Sequence, residues 1–250
     1  MGEPRVTADR ENACENVREN ARADAPLPLV EACCDSVWNA RLAEQHGAGR
    51  VELCGPGPGG TTPTLGLMAR VRDELRVPLH AMIRPHTRDF VYDDDDLDVM
   101  RGDIIAARGL GIDGVVVGPL QVDGSIDARQ LADLVELARP MRVTFHRAFD
   151  AVVDPLRSLE VLLQVGVHYV LTSGQARTAR DGAAQLAALQ ARAGDRLTVL
   201  AGGGIRGDHV QALLAQAPLR EVHARGVEPT IIRDLVSALR HGASPIVLPT

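Results

Sequence analysis

The 250-residue sequence predicts an α/β chain folded as a single-domain (β/α)8 TIM barrel. Three observations lead there. A β-like run followed by a helical stretch repeats eight times, the runs starting near residues 29, 50, 79, 113, 142, 168, 197 and 221, and eight such units close a barrel rather than extend an open sheet. Several runs carry polar residues two positions apart near their carboxyl ends, which places them on one face of a strand. The length is ordinary for one barrel domain.

Taken in order, residues 1–26 are charged and poor in large apolar side chains, with Glu-Asn recurring at 11, 15 and 19. They read as a disordered extension outside the barrel domain of residues 27–250. The first run, Leu29 to Cys33, puts Glu31 and Cys33 on one face, and Ser36 caps a helix that ends before Gly47. The second, Arg50 to Cys54, pairs Glu52 with Cys54 in the same way. Gly55 to Gly60 then matches G-x-G-x-x-G, but Pro56 and Pro58 lack the N–H groups a pyrophosphate needs and the helix starts only near Thr64, which argues against a dinucleotide loop.

The third run, Leu79 to Arg84, sets His80, Met82 and Arg84 on one face and Leu79, Ala81 and Ile83 on the other. The acidic run Asp93 to Asp96 fits the cap and first turn of a helix continuing through Met100 and Ile104. The fifth run ends in His146, Arg147 and Asp150, a strand tip suited to one wall of a pocket. Asp154-Pro155 starts the next helix as N-cap and first residue, with Leu156, Leu159 and Leu163 expected on its buried face and Gly166 at its end. The sixth and seventh runs close on Ser173-Gly174 and Gly202-Gly203-Gly204, a candidate anion site because glycine lets backbone amides approach a phosphate. Glu221-Val-His223 is the eighth run, and a helix near 229–241 follows with Ile231, Ile232, Leu235, Val236 and Leu239 at helical spacing.

Composition narrows the chemistry. A formal net charge of −6 argues against nucleic acid or an acidic membrane as partner. All 27 basic residues are arginine. The absence of lysine excludes Schiff-base aldolases, pyridoxal-phosphate enzymes and P-loop NTPases; with the dinucleotide loop already set aside, neither NAD nor pyridoxal phosphate is the expected cofactor. Cys14, Cys33, Cys34 and Cys54 fit no disulfide framework. With no membrane-spanning stretch or signal-peptide core, a cytoplasmic location is expected.

The strand tips together resemble the CutC family, described as copper homeostasis proteins. The resemblance rests on Glu31-Ala-Cys-Cys-Asp-Ser36, Arg50-Val-Glu-Leu-Cys54, Gly59-Gly-Thr-Thr-Pro-Thr64, Met82-Ile-Arg-Pro85, Asp123-Gly-Ser-Ile-Asp127, Val143 to Asp150, Leu171-Thr-Ser-Gly-Gln175, Ala201-Gly-Gly-Gly-Ile205 and Glu221-Val-His223. It implies a (β/α)8 barrel, Cu(I) as the partner ion with Cys33 and Cys54 as its ligands, and a homodimer. Two places depart from the family pattern. The chain reads His86-Thr-Arg-Asp-Phe90 where the family usually has Arg-Gly-Gly-Asp-Phe, and Ala224-Arg-Gly-Val227 leads quickly into the last helix where a longer loop is usual.

Two chemistries are open from the residues. Cu(I) is soft and prefers sulfur, which Cys33, Cys54 and Met82 could supply. Acid–base catalysis on a small anionic metabolite would account for Glu31, Glu52, Arg84, His146, Arg147, Asp150 and His223 on one face, with Arg84 and the glycine loops holding the anion and His146, oriented by a carboxylate, moving a proton. A divalent metal held by His146, His223 and a glutamate is a third arrangement.

Overall fold

The computed structural model describes residues 27–242, so the expected extension over residues 1–26 lies outside the described residues. Eight strands form a closed parallel barrel in sequence order: β1 (Leu29–Cys34), β2 (Arg50–Leu53), β3 (Leu79–Met82), β4 (Gly114–Val117), β5 (Arg142–Phe145), β6 (Tyr169–Thr172), β7 (Thr198–Ala201) and β8 (Glu221–Arg225). Helices α1 (Val37–Gln45), α2 (Leu65–Glu74), α3 (Asp94–Gly109), α4 (Ala128–Ala138), α5 (Pro155–Val165), α6 (Ala183–Ala193), α7 (Val210–Gln216) and α8 (Pro229–Gly242) each follow one strand. The expected starts fall within one residue of the strands. Cys54, Arg84 and His146 lie just past the strand ends, on the rim where the chain turns toward the helices.

The apolar residues of each strand face outward onto the helices. Ala32, Val51, Leu53, Leu79, Ala81, Val115, Val117, Val143, Phe145, Val170, Val199 and Val222 join one continuous core with the inner faces of the helices. Caps set the helix starts as the sequence indicates. Ser36, Thr64, Asp93, Asp127 and Asp154 each accept a hydrogen bond from a first-turn amide, and Asp93 with Asp96 completes a capping box. The apolar face of α5 is rotated from the expected one. Ser158, Leu159 and Leu162 are buried, whereas Leu156 is 48% exposed, so the face turned to the barrel runs through residues 158, 159 and 162.

The barrel interior is unusual. Interiors of this fold are commonly filled by layers of Val, Ile and Leu, but here the register sets Glu31 beside both Arg50 and His223, Cys33 beside Glu52, and Glu52 beside His80. Arg50 is 3% exposed and bridges two carboxylates, Glu31 and Glu221, while its guanidinium carbon lies 4.4 Å from the centroid of the Tyr169 ring. Space for the imidazoles comes from glycine. A Cβ on Gly114 would strike the ring of His80 and one on Gly118 the ring of His146, so both rings rest directly on backbone. A charged column thus runs up the inside of the barrel from Glu221 through Arg50 and Glu31 to His223.

Candidate functional site

A cavity of about 890 Å³ opens at the carboxyl ends of the strands. It is lined by residues from several strand tips, which is the end of the barrel where side chains of different strands can converge on one ligand. Its inner wall carries Cys33, Glu52, Cys54, Met82 and His223, and its outer wall Arg84, His146, Arg147, Gly203, Gly204, Arg206 and Arg225.

The inner wall is tightly knit. The Sγ atoms of Cys33 and Cys54 lie 3.7 Å apart, and the Cys54 sulfur sits 3.2 Å from Oε1 of Glu52. His223 Nδ1 sits 2.8 Å from Oε1 of Glu31. One donor atom each from Cys33, Glu52 and His223 lies within 4.8 Å of the others, and all three side chains are largely withdrawn from water. Met82 packs with Cys54, Val116 and Cys33, which places a thioether beside the two thiols.

Charge is distributed unevenly over this wall. Burial opposes ionisation of Glu31, but the Arg50 guanidinium and the hydrogen bond from His223 hold its carboxyl well below the usual range. Burial pushes Glu52 up to about 8, so it carries its proton at neutral pH. The hydrogen bond from Cys54, helped against burial by His223, pulls Cys33 down to about 5, whereas that same bond and burial push Cys54 far up. Burial also opposes a charge on His223, and the nearby Glu52 carboxyl, with the hydrogen bonds to Cys33 and Glu31, outweighs that and raises it. The outcome is one thiolate and one thiol, a protonated imidazole and a neutral carboxyl in a single cluster. A depressed thiol pKa means the thiolate persists as pH falls until the folded value is crossed. Alkylation of Cys33 by iodoacetamide, followed by peptide mass mapping, is therefore expected to keep its full rate down to about pH 5 and to fall below it; a rate that declines already below pH 9 contradicts the assignment.

The outer wall differs from the expected one. Asp150 does not orient His146 and does not line the cavity. Its carboxylate instead takes the Thr172 hydroxyl at 2.5 Å, the Ser173 amide at 2.9 Å and the Arg147 Nε at 2.8 Å, because the 3-10 turn at Arg147–Ala151 swings it toward the end of β6. That carboxylate fills the place an anion would need on the β6 side, and the Gly174 amide is spent on Thr172 Oγ1. Ser173 and Gly174 are therefore not an anion site. The Gly202 amide donates to the carbonyl of Thr172, so of the three glycines of the seventh loop only Gly203 and Gly204 line the cavity.

His146 itself is held by a backbone contact. Its Nδ1 accepts from the Ala148 amide at 3.1 Å, and burial beside the Arg84 charge drives its pKa down to about 3. It stands apart from the Cys33, Glu52 and His223 group, so the divalent arrangement using His146 with His223 is not formed. Arg84 sends Nη1 to the carbonyls of Pro58 and Gly60 at 3.0 and 3.1 Å, fastening the glycine- and proline-rich loop over the cavity.

Sequence reasoning passed over four residues. Arg50 and Glu221 were legible in principle, since each lies two positions before a flagged residue and so shares its face. Arg206 and Arg225 sit beyond the regular strand alternation, where parity gives no guide.

Comparison with known proteins fits this picture. A family model described as the CutC family matches residues 28–227. A mouse protein named copper homeostasis protein cutC homolog is 43% identical over 219 residues, covering 86% of this chain and 80% of the mouse protein. A CutC family protein of Chromobacterium violaceum is 42% identical over 221 residues, covering 87% and 90%. Among solved structures, a CutC protein of Streptococcus agalactiae superposes with a TM-score of 0.75 at 27% identity, covering 79% of this chain and 98% of the other.

Proposed function

This chain belongs to the CutC family, and on that premise we propose that it serves copper homeostasis by holding Cu(I) between the sulfurs of Cys33 and Cys54. The observation that carries this reading is the 3.7 Å separation of the two Sγ atoms on the cavity wall. Two sulfurs that close can share one ion at metal–sulfur distances of about 2.3 Å without movement of the strands. The donor set suits a soft ion: a ready thiolate at Cys33, a second thiol that gives up its proton on binding, and the Met82 thioether alongside. That proton leaves through the open cavity to solvent, and His223 or Glu52, each with a donor atom within 4.8 Å of Cys33, serves as a further ligand only on losing its own proton.

Copper binding is tested by a competitive Cu(I) titration of the reduced chain against a chromogenic chelator. One tightly held ion per chain is the expected result. Copper that passes wholly to the chelator removes the reading.

A second reading is favoured by one further observation. The Glu31–His223 hydrogen bond and the neutral Glu52 put a charged acid and a protonated carboxyl within 4.8 Å of the Cys33 thiolate. Such a set suits proton transfer on a small anionic metabolite, because its members titrate on either side of neutrality.

A further inference from the structure

A bare metal ion leaves most of an 890 Å³ cavity unused; that volume falls in the range of sites for whole small molecules. The outer wall says what kind of molecule. Arg84 is 4% exposed, and among the described residues no carboxylate lies within ion-pair distance of it. A guanidinium removed from water without a counter-ion is strongly unfavourable. Carbonyl oxygens of Pro58 and Gly60 satisfy only Nη1, and Nε is buried with no acceptor.

His146 presents the same deficit. Because its Nδ1 accepts from the Ala148 amide, the ring proton sits on Nε2, and Nε2 is buried with no partner. Phe90 joins the two residues: its ring centroid lies 4.8 Å from the Arg84 guanidinium carbon and 5.1 Å from the His146 centroid. Both residues and Phe90 line the cavity. Two buried, unanswered donors on one apolar platform, one of them permanently charged, are matched by a ligand that brings acceptor oxygens and negative charge. Arg206 and Arg225 add positive charge to the same cavity and outnumber its exposed carboxylate, Asp35; among the described residues neither arginine has a carboxylate in ion-pair contact.

We infer that the cavity binds a small oxyanionic molecule, a phosphate ester or a carboxylate, whose acidic group sits against Arg84 Nε and His146 Nε2. The inference deepens the second reading, whose anionic metabolite it seats, and stands apart from copper binding, since neither residue is among the sulfur donors. The neutral imidazole donates its hydrogen bond without a charge of its own, while Arg84 supplies the counter-charge. The remainder of the molecule then extends toward Cys33, Glu52 and His223.

The test is isothermal titration calorimetry of the metal-free, reduced full chain with inorganic phosphate and, separately, with succinate. At least one of the two is expected to bind. His146→Phe, which keeps the aromatic packing on Phe90 but loses the Nε2 donor along with the Nδ1 acceptor of the Ala148 amide, is expected to weaken that binding about tenfold or more while leaving the melting temperature close to that of the parent. Arg84→Gln is expected to abolish it, and since that change also loosens the loop over the cavity, His146→Phe is the deciding variant. Tighter phosphate binding identifies a phosphate ester as the ligand class, and tighter succinate binding a carboxylate. If neither binds, or if His146→Phe binds as well as the parent, the inference is overturned. Cu(I) titration of the same variant keeps the two readings separate, because anion binding lost with copper binding intact leaves the sulfur site untouched.

Discussion

Replacing Cys33 and Cys54 together with serine is expected to lower Cu(I) affinity by more than the roughly 10–100-fold that loss of an outer-shell partner costs a metal site, because it removes both soft ligands. Serine is nearly isosteric, so the cavity keeps its shape while its chemistry changes. A hydroxyl is hard and stays protonated at neutral pH, whereas Cys33 is already a thiolate there. The residual donors, His223, Glu52 and Met82, offer one thioether and otherwise nitrogen and oxygen. Each single variant should retain part of the affinity, Cys54→Ser more than Cys33→Ser, because the latter takes away the thiolate. A double variant that competes with the chelator as well as the parent does would sink the copper assignment.

Arg50→Met is expected to destabilise the fold by about 3–5 kcal/mol, the usual consequence of taking one partner from a buried ion pair. The side chain is 3% exposed and its two partners, Glu31 and Glu221, approach from different strands. Without it Glu31, itself fully buried, keeps only His223 as a counter-charge. Methionine fills most of the vacated volume, so the loss reports charge rather than packing. Since domains of this size are stable by only about 5–15 kcal/mol, the urea midpoint should move far toward zero. Adding Glu31→Gln to Arg50→Met removes the stranded charge and should recover part of the loss. A single variant within about 1 kcal/mol of the parent, the range of exposed ion pairs, would mean the column is not a stabilising unit.

The barrel was readable because strand parity and helix punctuation are local signals. Glu31 with Cys33, Glu52 with Cys54, the helix start near Thr64, and the caps at Ser36, Asp93 and Asp154 all follow from spacing alone. The inner wall of the cavity was readable for the same reason, since parity puts those side chains inside. What escaped were residues placed by turns. Asp150 shares a nine-residue stretch with His146, yet a 3-10 turn sends one into the cavity wall and the other to the end of β6. Ser173 and Gly174 looked like an open anion cradle, and only the three-dimensional arrangement reveals that a carboxylate of the chain itself has taken it. The state of each titratable group was also beyond sequence. Cys33 and Cys54 look alike in their motifs, and beyond the contact they share it is their neighbours that differ: His223 beside Cys33 favours its thiolate, whereas burial and Glu52 beside Cys54 keep that thiol protonated.

Copper-edge X-ray absorption on the Cu(I)-loaded, reduced chain tests the central claim most directly. The account predicts a first shell dominated by sulfur, at least two atoms at roughly the 2.3 Å typical of metal–thiolate bonds, which disappears in the double serine variant. A first shell made only of nitrogen and oxygen, or one unchanged by loss of Cys33 and Cys54, would contradict it.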